Sequence, residues 1–397
     1  MTVYFVMRNM YPNGKASTAR VRNYTKGLTE CGIKCKVIIP VSPERYGHTP
    51  INTIAEGYHE NVYFKYITNS PQRKSNVFKR QISDITGYIK TLLYLKKKLK
   101  KNDIVVVYEG GVLWHKAIAK IVHLVHCKAV MELNEYPFVQ TQGAEKRRER
   151  MLNTVFPIYD GFLAISENLV QLINKYAPSS KVLKVPIIVE SLEKDNLYID
   201  KEKEKEAYIF HSGSLTEQKD GILGVIEAFG IACKQLSTPL KYYMTGNLND
   251  SPHVEQIKAL INKYNLNDKL IFTGYLNENE LRNYQKHCTL TIINKYDTIQ
   301  NKYCFATKLG EYLALKRPVI TTDVGEATFY LNDTNAYIVP HGNPQLIADK
   351  IIEIINNPQK SIQITSEGYK LTLKEFNYKY QAQRIASFFN KLSKHSN

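Results

Sequence analysis

The chain has 397 residues, of which 43% are hydrophobic and 23% charged, so it is long enough for two or three globular domains and too apolar for global disorder. Its six cysteines form no CxxC pair and are too sparse for a disulfide scaffold, which indicates a reducing compartment. The opening MTVYFVMRNM is too short an apolar stretch for a signal peptide, and no run of 18 apolar residues predicts a membrane span. We therefore expect a cytoplasmic protein.

The net charge of +17 is concentrated in the first half of the chain. Residues 1–195 carry 30 of the 54 Lys and Arg but 16 of the 37 Asp and Glu, which leaves +14 there and +3 in the remainder. Such asymmetry predicts an anionic partner for the first half: a membrane surface, a nucleic acid or an acidic substrate. A general lysine-rich composition is the alternative interpretation.

Strands and helices alternate along the chain, which predicts right-handed crossovers and parallel sheets. In the first half we predict strands at Val3–Met7, Val37–Pro40, Ile104–Tyr108, Lys128–Leu133, Gly161–Ile165 and Val182–Val185, and helices at Ala16–Cys31, Asp84–Lys101, Val112–His126 and from Glu167. In the second half we predict strands at Tyr208–His211, Lys241–Thr245, Leu270–Thr273, Leu290–Ile293, Val319–Thr321 and Tyr337–Val339, and helices at Gly221–Cys233, Val254–Tyr264, Glu278–Lys286, Lys308–Leu315 and Pro344–Asn356.

This order predicts an α/β protein with two Rossmann-like, doubly wound parallel-sheet domains. The charged stretch Glu193–Glu206 has no core face and separates them, so we assign residues 1–195 to an N-terminal domain, 196–206 to a linker and 207–375 to a C-terminal domain. Residues 376–397 are expected to form a helix that packs back on the N-terminal domain. Ligands of such sheets bind at the carboxyl ends of strands, so the loops there are the candidate sites.

Two loops in the C-terminal half favour phosphate binding. In the segment NKYCFATKLGEYLALKRPVITTDVGE, Thr307 can cap a helix whose N-terminus attracts anions, Lys308 adds a charge, and Glu311 can accept hydrogen bonds from sugar hydroxyls. A capped amphipathic helix with an ion-paired glutamate is the plain structural alternative.

The second loop lies in YIFHSGSLTEQKDG, where a predicted strand runs into a Ser/Gly-rich turn before a helix. Gly213 permits close approach of a ligand, Ser214 offers a hydroxyl, and Lys219 offers a point charge for phosphate. The segment lacks the GxGxxG fingerprint, and an ordinary strand–helix turn is the alternative.

Together these segments resemble glycosyltransferase family 4, the large retaining family with the GT-B fold. The matching residues are GSL and KDG, separated by three residues, then TGN, FTGY and FATKLGEYLALKRPVITTDVGE, with weaker support from YPNGKASTARVRNYTKGL, MELNEYPF and FLAISENL. FATKLGEY is similar to a subgroup of bacterial capsule and surface-polysaccharide transferases. The resemblance covers nearly the whole chain and implies two domains facing across a cleft.

The resemblance implies a nucleotide-sugar donor in the C-terminal domain and an acceptor in the N-terminal one. Lys219, Lys308 and Glu311 are then the catalytic candidates, the lysines at the diphosphate and the glutamate at the ribose. The donor-binding candidates are Gly14, Gly213, Ser214, Thr273, Gly274, Tyr275, Tyr303 and Thr307. Gly14 approaches the donor from the N-terminal domain, and Thr273, Gly274 and Tyr275 lie along the base.

Two positions depart from the pattern of the family. Ser214 stands where the family usually has an Arg, and Tyr303 stands where it usually has a Glu that touches the donor sugar. Lys308 is a candidate for supplying the missing charge. These departures bear on the donor sugar more than on the fold.

Side chains elsewhere are weaker candidates. Glu132 and Glu135 follow a strand of the acceptor domain, where Glu135 is placed to orient an acceptor hydroxyl or to serve the structure alone. Glu109 follows another strand of that domain and carries the same two interpretations. His211 follows the donor-side strand, where it lies near the site by topology or makes a structural hydrogen bond. The sequence contains no Asp-x-Asp and no HExxH, so we predict no metal site and no cofactor beyond the donor substrate.

Two clusters of cations suggest a membrane surface. Lys96–Lys101 closes a leucine-containing helix, and Lys146–Arg150 lies in the same half. A basic amphipathic helix can rest on anionic lipid, so peripheral binding at the inner face of the plasma membrane is one interpretation. The other is a solvated helix face whose lysines complement the helix C-terminus.

We therefore expect a retaining, metal-independent glycosyltransferase. It would use a nucleotide-diphosphate sugar, with UDP as the first choice, and a lipid-linked or growing polysaccharide acceptor of capsule or exopolysaccharide type. One alternative is a sugar-nucleotide epimerase on the same fold, which needs acid and base residues beside the sugar. The other is a nucleic-acid-binding protein, for which the sequence shows no reader motif.

Overall fold

The computed structural model describes residues 1–139, 141–190 and 206–394, which form two compact units. The first unit comprises Met1–Ile188 together with Tyr378–Asn397, and the second comprises Val189–Asn377. The linker predicted at 196–206 lies outside the described residues except for Glu206. Among the described helices, none is both long enough and apolar enough to span a membrane.

The first unit alternates strands and helices. Its elements up to residue 184 are β1 (Thr2–Met7), α1 (Ala16–Glu30), β2 (Lys34–Ile39), β3 (Glu56–His59), β4 (Val62–Tyr66), α2 (Val77–Lys98), β5 (Ile104–Tyr108), α3 (Val112–Leu124), β6 (Lys128–Leu133), α4 (Glu145–Thr154), β7 (Gly161–Ala164), α5 (Glu167–Tyr176) and β8 (Lys181–Lys184).

These strands form one eight-stranded sheet in the order β3-β4-β2-β1-β5-β6-β7-β8. Every neighbouring pair is parallel except β3 with β4. β1 and β5 lie at the centre, with Val3 opposite Ile104, and β5 reads IVVVY because both of its faces are buried. The strand order reverses at β1 and β5, so the loops after these two strands meet at a switch point.

Sequence analysis missed the hairpin of β3 and β4. Its two-residue turn is Glu60–Asn61, with φ angles of 47° and 64°, a left-handed geometry that Asn-Gly would have signalled and Glu-Asn does not. The helix predicted from Asp84 also begins earlier, at Val77, because the Asn76 side chain caps it by accepting hydrogen bonds from the backbone of Phe78 and Lys79.

The second unit has a smaller sheet. Its elements are β9 (Tyr208–His211), α6 (Glu217–Asp220), α7 (Ile222–Gln235), β10 (Lys241–Met244), α8 (Val254–Tyr264), β11 (Leu270–Phe272), α9 (Glu278–His287), β12 (Leu290–Ile293), α10 (Ile299–Tyr303), α11 (Thr307–Ala314), β13 (Val319–Thr322), β14 (Tyr337–Val339), α12 (Pro344–Asn356) and α13 (Pro358–Leu373).

The six strands are all parallel and run in the order β11-β10-β9-β12-β13-β14. The chain proceeds from β9 outward through β10 to β11 and then crosses to β12 on the other side of β9. The carboxyl ends of β9 and β12 therefore form the switch point of this sheet, where ligands of such folds bind.

The last helix of the chain, α14 (Tyr378–Lys394), belongs to the first unit. It packs on α1, where a Cβ on Gly27 would lie 2.5 Å from the Cβ of Ala382, so only glycine permits this approach. The Tyr378 hydroxyl donates to Glu30 at 2.8 Å. The end of the chain is thus part of the core around β1.

Candidate functional site

The loop after β9 brings three polar atoms together around Gly213. A Cβ at Gly213 would lie 2.4 Å from Nζ of Lys308, 2.7 Å from Oδ2 of Asp220 and 2.7 Å from Nε2 of His211. The backbone here passes so close to charged groups that any side chain would displace them. Gly213 therefore lies at the centre of a polar cluster at the switch point.

Asp220 is the buried anion of this cluster. Its Oδ2 accepts hydrogen bonds from the backbone N–H and the hydroxyl of Ser214, both at 2.8 Å, and lies 3.8 Å from Nζ of Lys308. Its Oδ1 accepts from Nζ of Lys295 at 2.9 Å. Burial alone would raise the pKa of this carboxyl, but the charges of Lys308 and Lys295 hold it well below its usual value.

Sequence analysis missed Asp220 and Lys295. Asp220 ends α6 within the KDG motif, and Lys295 stands two residues beyond β12, so both positions follow from the topology of the sheet once β9 and β12 are known to be neighbours. The Lys295 ammonium also donates to the carbonyl of Lys219, which ties α6 to the loop after β12.

Lys219 was predicted in an irregular loop, and the structure places it in the one-turn helix α6 instead. The reason is local: the backbone N–H of Asp220 bonds the carbonyl of Thr216 at 3.0 Å, which closes a helical turn. The Lys219 side chain is exposed. Burial is the main cause that lowers the pKa of Lys308, and the positive charge of Lys219 lowers it further. The two lysines are therefore close enough to interact electrostatically.

Thr307 does not cap α11, contrary to the prediction. Ala306 occupies the N-cap position in an extended conformation, Thr307 is the first helical residue, and no side chain makes a capping hydrogen bond there. The N-terminus of α11 therefore presents backbone N–H groups and its positive dipole end beside Lys308, the second residue of the helix. This arrangement favours an anion more strongly than a capped helix would.

Glu311 follows Lys308 by three residues on α11, and its side chain is exposed. Its Oε2 accepts a hydrogen bond from the Gln285 amide at 3.1 Å. The surrounding protein displaces enough water to raise the pKa of Glu311, while Lys308 opposes the shift. Gln285 is a further residue that sequence analysis did not single out, and it orients the carboxylate.

His211 ends β9 and is buried. Burial, reinforced by the nearby charge of Lys308, lowers the pKa of His211 to about 4, so the ring is neutral at pH 7. Its Nε2 has no hydrogen-bond partner among the described residues, although it faces the crowded backbone of Gly213. A neutral imidazole with an unsatisfied nitrogen at a switch point is a candidate for contacting a ligand.

The predicted base-binding segment follows β11, the outermost strand of the sheet, which lies two strands from β9. The carbonyl of Gly274 accepts a hydrogen bond from the N–H of Gly246 at 2.8 Å, and Gly274 adopts a left-handed φ of 71°. Thr273 donates through its hydroxyl to the Gly274 carbonyl at 3.1 Å. Tyr275 is 79% exposed and donates to Asp250 at 3.2 Å, which leaves its ring open to a ligand.

Two further predicted donor-binding residues belong to other segments of the chain. Tyr303 ends α10, four residues before Thr307. Gly14 belongs to the first unit, in the loop after β1, where a Cβ would lie 2.3 Å from the Thr18 hydroxyl oxygen. The close packing of Thr18 against this loop is therefore enough to explain a glycine at position 14, independently of any ligand.

Glu132, a weaker candidate, serves the structure of the first unit. Its Oε1 accepts hydrogen bonds from Arg20 at 2.8 Å and from the Tyr24 hydroxyl at 2.9 Å. Arg20 also donates to the carbonyls of Val185 and Pro186. Burial raises the pKa of Glu132, against the opposing charge of Arg20. These bonds join α1 to β6 and to the chain after β8.

The described residues contain no group of three His, Cys, Asp or Glu side chains that could hold a metal ion. At the switch point of the second unit, Lys295 and Lys308 instead flank the buried carboxylate of Asp220, and the exposed Lys219 adds a charge that acts on Lys308. Cations and helical N–H groups are suited to bind a phosphate-bearing anion.

Comparisons with known proteins bear on the family of the second half of the chain and on the fold. Residues 194–371 match the family model for glycosyl transferases group 1. A search of the curated proteins found no significant match.

Solved structures of similar fold cover almost the entire chain. A sucrose-phosphate synthase from Thermosynechococcus elongatus is 14% identical, covers 99% of both chains and superposes with a TM-score of 0.74. A glycosyltransferase from Rickettsia africae ESF-5 is 15% identical with 99% coverage of both and a TM-score of 0.72. Anabaena HepE, solved in complex with UDP, is 14% identical with a TM-score of 0.69 and coverage of 98% and 100%. The chain has the GT-B fold, as predicted.

Proposed function

We propose that this protein is a retaining glycosyltransferase. It would move a sugar from a nucleotide-diphosphate sugar, with UDP as the nucleotide, to a hydroxyl of a lipid-linked or growing surface polysaccharide. The observation that carries the proposal is the pair of lysines at Asp220, Lys295 and Lys308, which lies beside the uncapped start of α11 at the switch point of the second sheet, with the charge of Lys219 acting on Lys308. The match of residues 194–371 to glycosyl transferases group 1 supports it.

The cationic cluster has the chemistry of a diphosphate site. Lys308 and the first N–H groups of α11 would face one phosphate, and the exposed Lys219 would reach another. Lys295 is paired with Asp220 and would stabilise the diphosphate through its positive charge without contacting it. As the bond between the anomeric carbon and the diphosphate oxygen breaks, negative charge grows on the diphosphate, and fixed cations stabilise it without reorganising.

The remaining parts of the donor have candidate contacts in the same unit. Glu311, oriented by Gln285, would accept hydrogen bonds from the ribose hydroxyls. The exposed ring of Tyr275 would pack along the base. UDP is favoured because Anabaena HepE, which has the same fold, was solved with UDP and with UDP-glucose.

In the transfer itself, a new bond forms between the acceptor oxygen and the anomeric carbon. The acceptor proton passes to an oxygen of the departing diphosphate, which balances the step without a protein base or a metal ion. Asp220 is unsuited to be that base, because its lysine neighbours keep its pKa low.

The test uses the purified full chain with UDP-, GDP- and ADP-sugars, with and without a polyprenyl-linked acceptor. We expect nucleotide release that depends on acceptor, persists in EDTA, and gives a product with the donor's anomeric configuration by NMR. Release of a free sugar epimer without acceptor would favour the epimerase instead. No binding of any nucleotide by calorimetry would contradict the proposal.

A further inference from the structure

Helix α2 exposes a row of large apolar side chains to solvent. Relative exposures on this face are 69% for Phe78, 47% for Ile82, 59% for Ile85, 53% for Ile89 and 61% for Leu93. At about 100° per residue, these five positions fall within an arc of about 80°. Scattered exposed leucines are ordinary, but a continuous apolar stripe along about four turns is not.

The opposite face of α2 fixes the helix on the sheet. Gly87, Thr91 and Leu95 are buried, and a Cβ on Gly87 would lie 2.1 Å from the carbonyl oxygen of Pro40. The Thr91 hydroxyl bonds back to the carbonyl of Gly87 at 2.7 Å. Because this close contact sets the rotation of the helix, the apolar stripe points directly away from the core of the first unit.

The stripe is bordered by cations. Residues 77–101 contain eight Lys and Arg and a single acidic residue, Asp84. On the helical projection, Lys79, Lys90 and Lys97 lie along one border of the stripe, and Lys96 continues it at the C-terminal end. Asp84 lies toward the core side and is only partly exposed. An apolar stripe with a basic border is typical of helices that lie in a bilayer interface.

Further exposed apolar residues lie at the same edge of the sheet. α2 begins after β4, and the loop after β2 exposes Ile51 (59%) and Ile54 (62%). The start of α3, after β5, exposes Leu113 (77%). Carboxyl ends of parallel strands share one edge, so these residues lie at the edge of the sheet where α2 begins.

We propose that the outward face of α2 inserts into the interface of an anionic membrane, with its lysines at the headgroups. Charge selects this occupant over a second copy of the chain, because pairing two such faces would bring two basic borders together, whereas anionic lipid neutralises them. The proposed membrane insertion is independent of any transferase activity. That insertion would bring the first unit close to a lipid-linked acceptor rests on the proposed function.

The experiment is co-sedimentation of the full chain with vesicles of phosphatidylcholine alone or in equal mixture with phosphatidylglycerol, at low and high salt. We expect binding to the anionic vesicles that weakens but persists at high salt. The apolar-face variant, Ile85→Gln with Ile89→Gln, should bind at least about tenfold more weakly. The matched control, Leu124→Gln with Ile362→Gln, replaces residues of equal exposure (60% and 57%) elsewhere and should bind as wild type.

A second measurement reports insertion directly. A tryptophan placed by Ile85→Trp should be quenched by lipids brominated along their acyl chains, and one placed by Ile362→Trp should not. Replacing Lys96–Lys98 by Gln should weaken binding at low salt and lower its salt sensitivity, without changing the quenching of bound protein. Nucleotide affinity, measured by calorimetry, should be equal in all variants, so a failure here is separate from a failure of the proposed function.

Three results would overturn the proposal. One is wild-type protein that does not co-sediment with anionic vesicles at low salt. Another is an apolar-face variant that binds as tightly as wild type at every salt concentration, which would leave adsorption purely electrostatic. The third is a concentration-dependent dimer, lost in the apolar-face variant, without vesicle binding, which would make this face a contact between copies of the chain.

Discussion

Replacing Asp220 by Asn should make the second unit less stable and more dependent on bound anion. The substitution keeps the shape of the side chain and removes the charge that lies between Lys295 and Lys308. Both ammonium groups are largely withdrawn from water, with side-chain exposures of 14% and 31%. Without the carboxylate they repel each other, and a diphosphate bound nearby would supply a strong counter-charge in its place.

The distances set the scale of the effect. At an effective dielectric constant of about 20, a separation of 2.9 Å to Lys295 corresponds to an attraction of about 6 kcal/mol, and 3.8 Å to Lys308 to about 4 kcal/mol. Desolvation of the three groups offsets most of this. Removing one partner from a buried ion pair costs about 3–5 kcal/mol, and we expect about 3 kcal/mol of lost unfolding free energy for Asp220→Asn.

The pH dependence has a definite sign. The folded pKa of Asp220 is depressed, so its contribution to stability is fully present above its unfolded value of about 3.9 and is lost as the pH falls below it. The acid limb of the wild-type stability curve should therefore be steeper than that of Asp220→Asn. The two curves should converge at the lowest pH at which the protein folds.

The assay is urea unfolding followed by circular dichroism, with and without saturating UDP. UDP should stabilise Asp220→Asn more than it stabilises the wild type. Asp323→Asn is the matched control, since it removes an exposed pair with His341 and should cost less than about 1 kcal/mol. Equal stability of wild type and Asp220→Asn, or equal stabilisation by UDP, would refute the role given to this carboxylate.

Three further predictions concern the donor site. Lys219→Ala and Lys308→Ala should each raise the barrier to turnover by about 2–4 kcal/mol, seen as a fall in kcat, and near wild-type rates in both would contradict the diphosphate assignment. Glu311→Gln should mainly raise the donor KM, because a ribose contact is shared by ground and transition states, and a pure kcat defect would argue against it. Gly213→Ala should cost about 1–3 kcal/mol of stability and weaken UDP binding by calorimetry, because its Cβ displaces the Lys308 ammonium; unchanged UDP affinity would show that the cluster is not the nucleotide site.

The sequence was sufficient for the alternation of strands and helices, because buried parallel strands such as β5 read as unbroken apolar runs. It was insufficient where local signals were weak. The turn of the β3–β4 hairpin consists of Glu60 and Asn61, and this pair lacks the glycine that usually marks such a turn. The start of α2 depends on one capping side chain, Asn76. These features are decided by hydrogen bonds that a pattern of apolar residues does not encode.

The site was predictable only where one continuous segment carries it. Lys308 and Glu311 share a helix, and Gly213 and Lys219 lie in one short segment between β9 and α7, so their proximity follows from spacing. Lys295 comes to the cluster from another strand, and its place depends on β12 lying next to β9. Pairing between distant strands is a tertiary property, which spacing along the chain does not give.

The serine at position 214 has a structural explanation in this cluster. Ser214 uses both its backbone N–H and its hydroxyl to hold Asp220, so this position orients an anion and supplies no positive charge. That anion in turn fixes Lys295, whose ammonium also bonds the carbonyl of Lys219. The loop after β9 therefore lacks the arginine expected at position 214, and Lys295 from the loop after β12 supplies a positive charge instead. The net positive field at the switch point depends on the set of side chains and not on any single position.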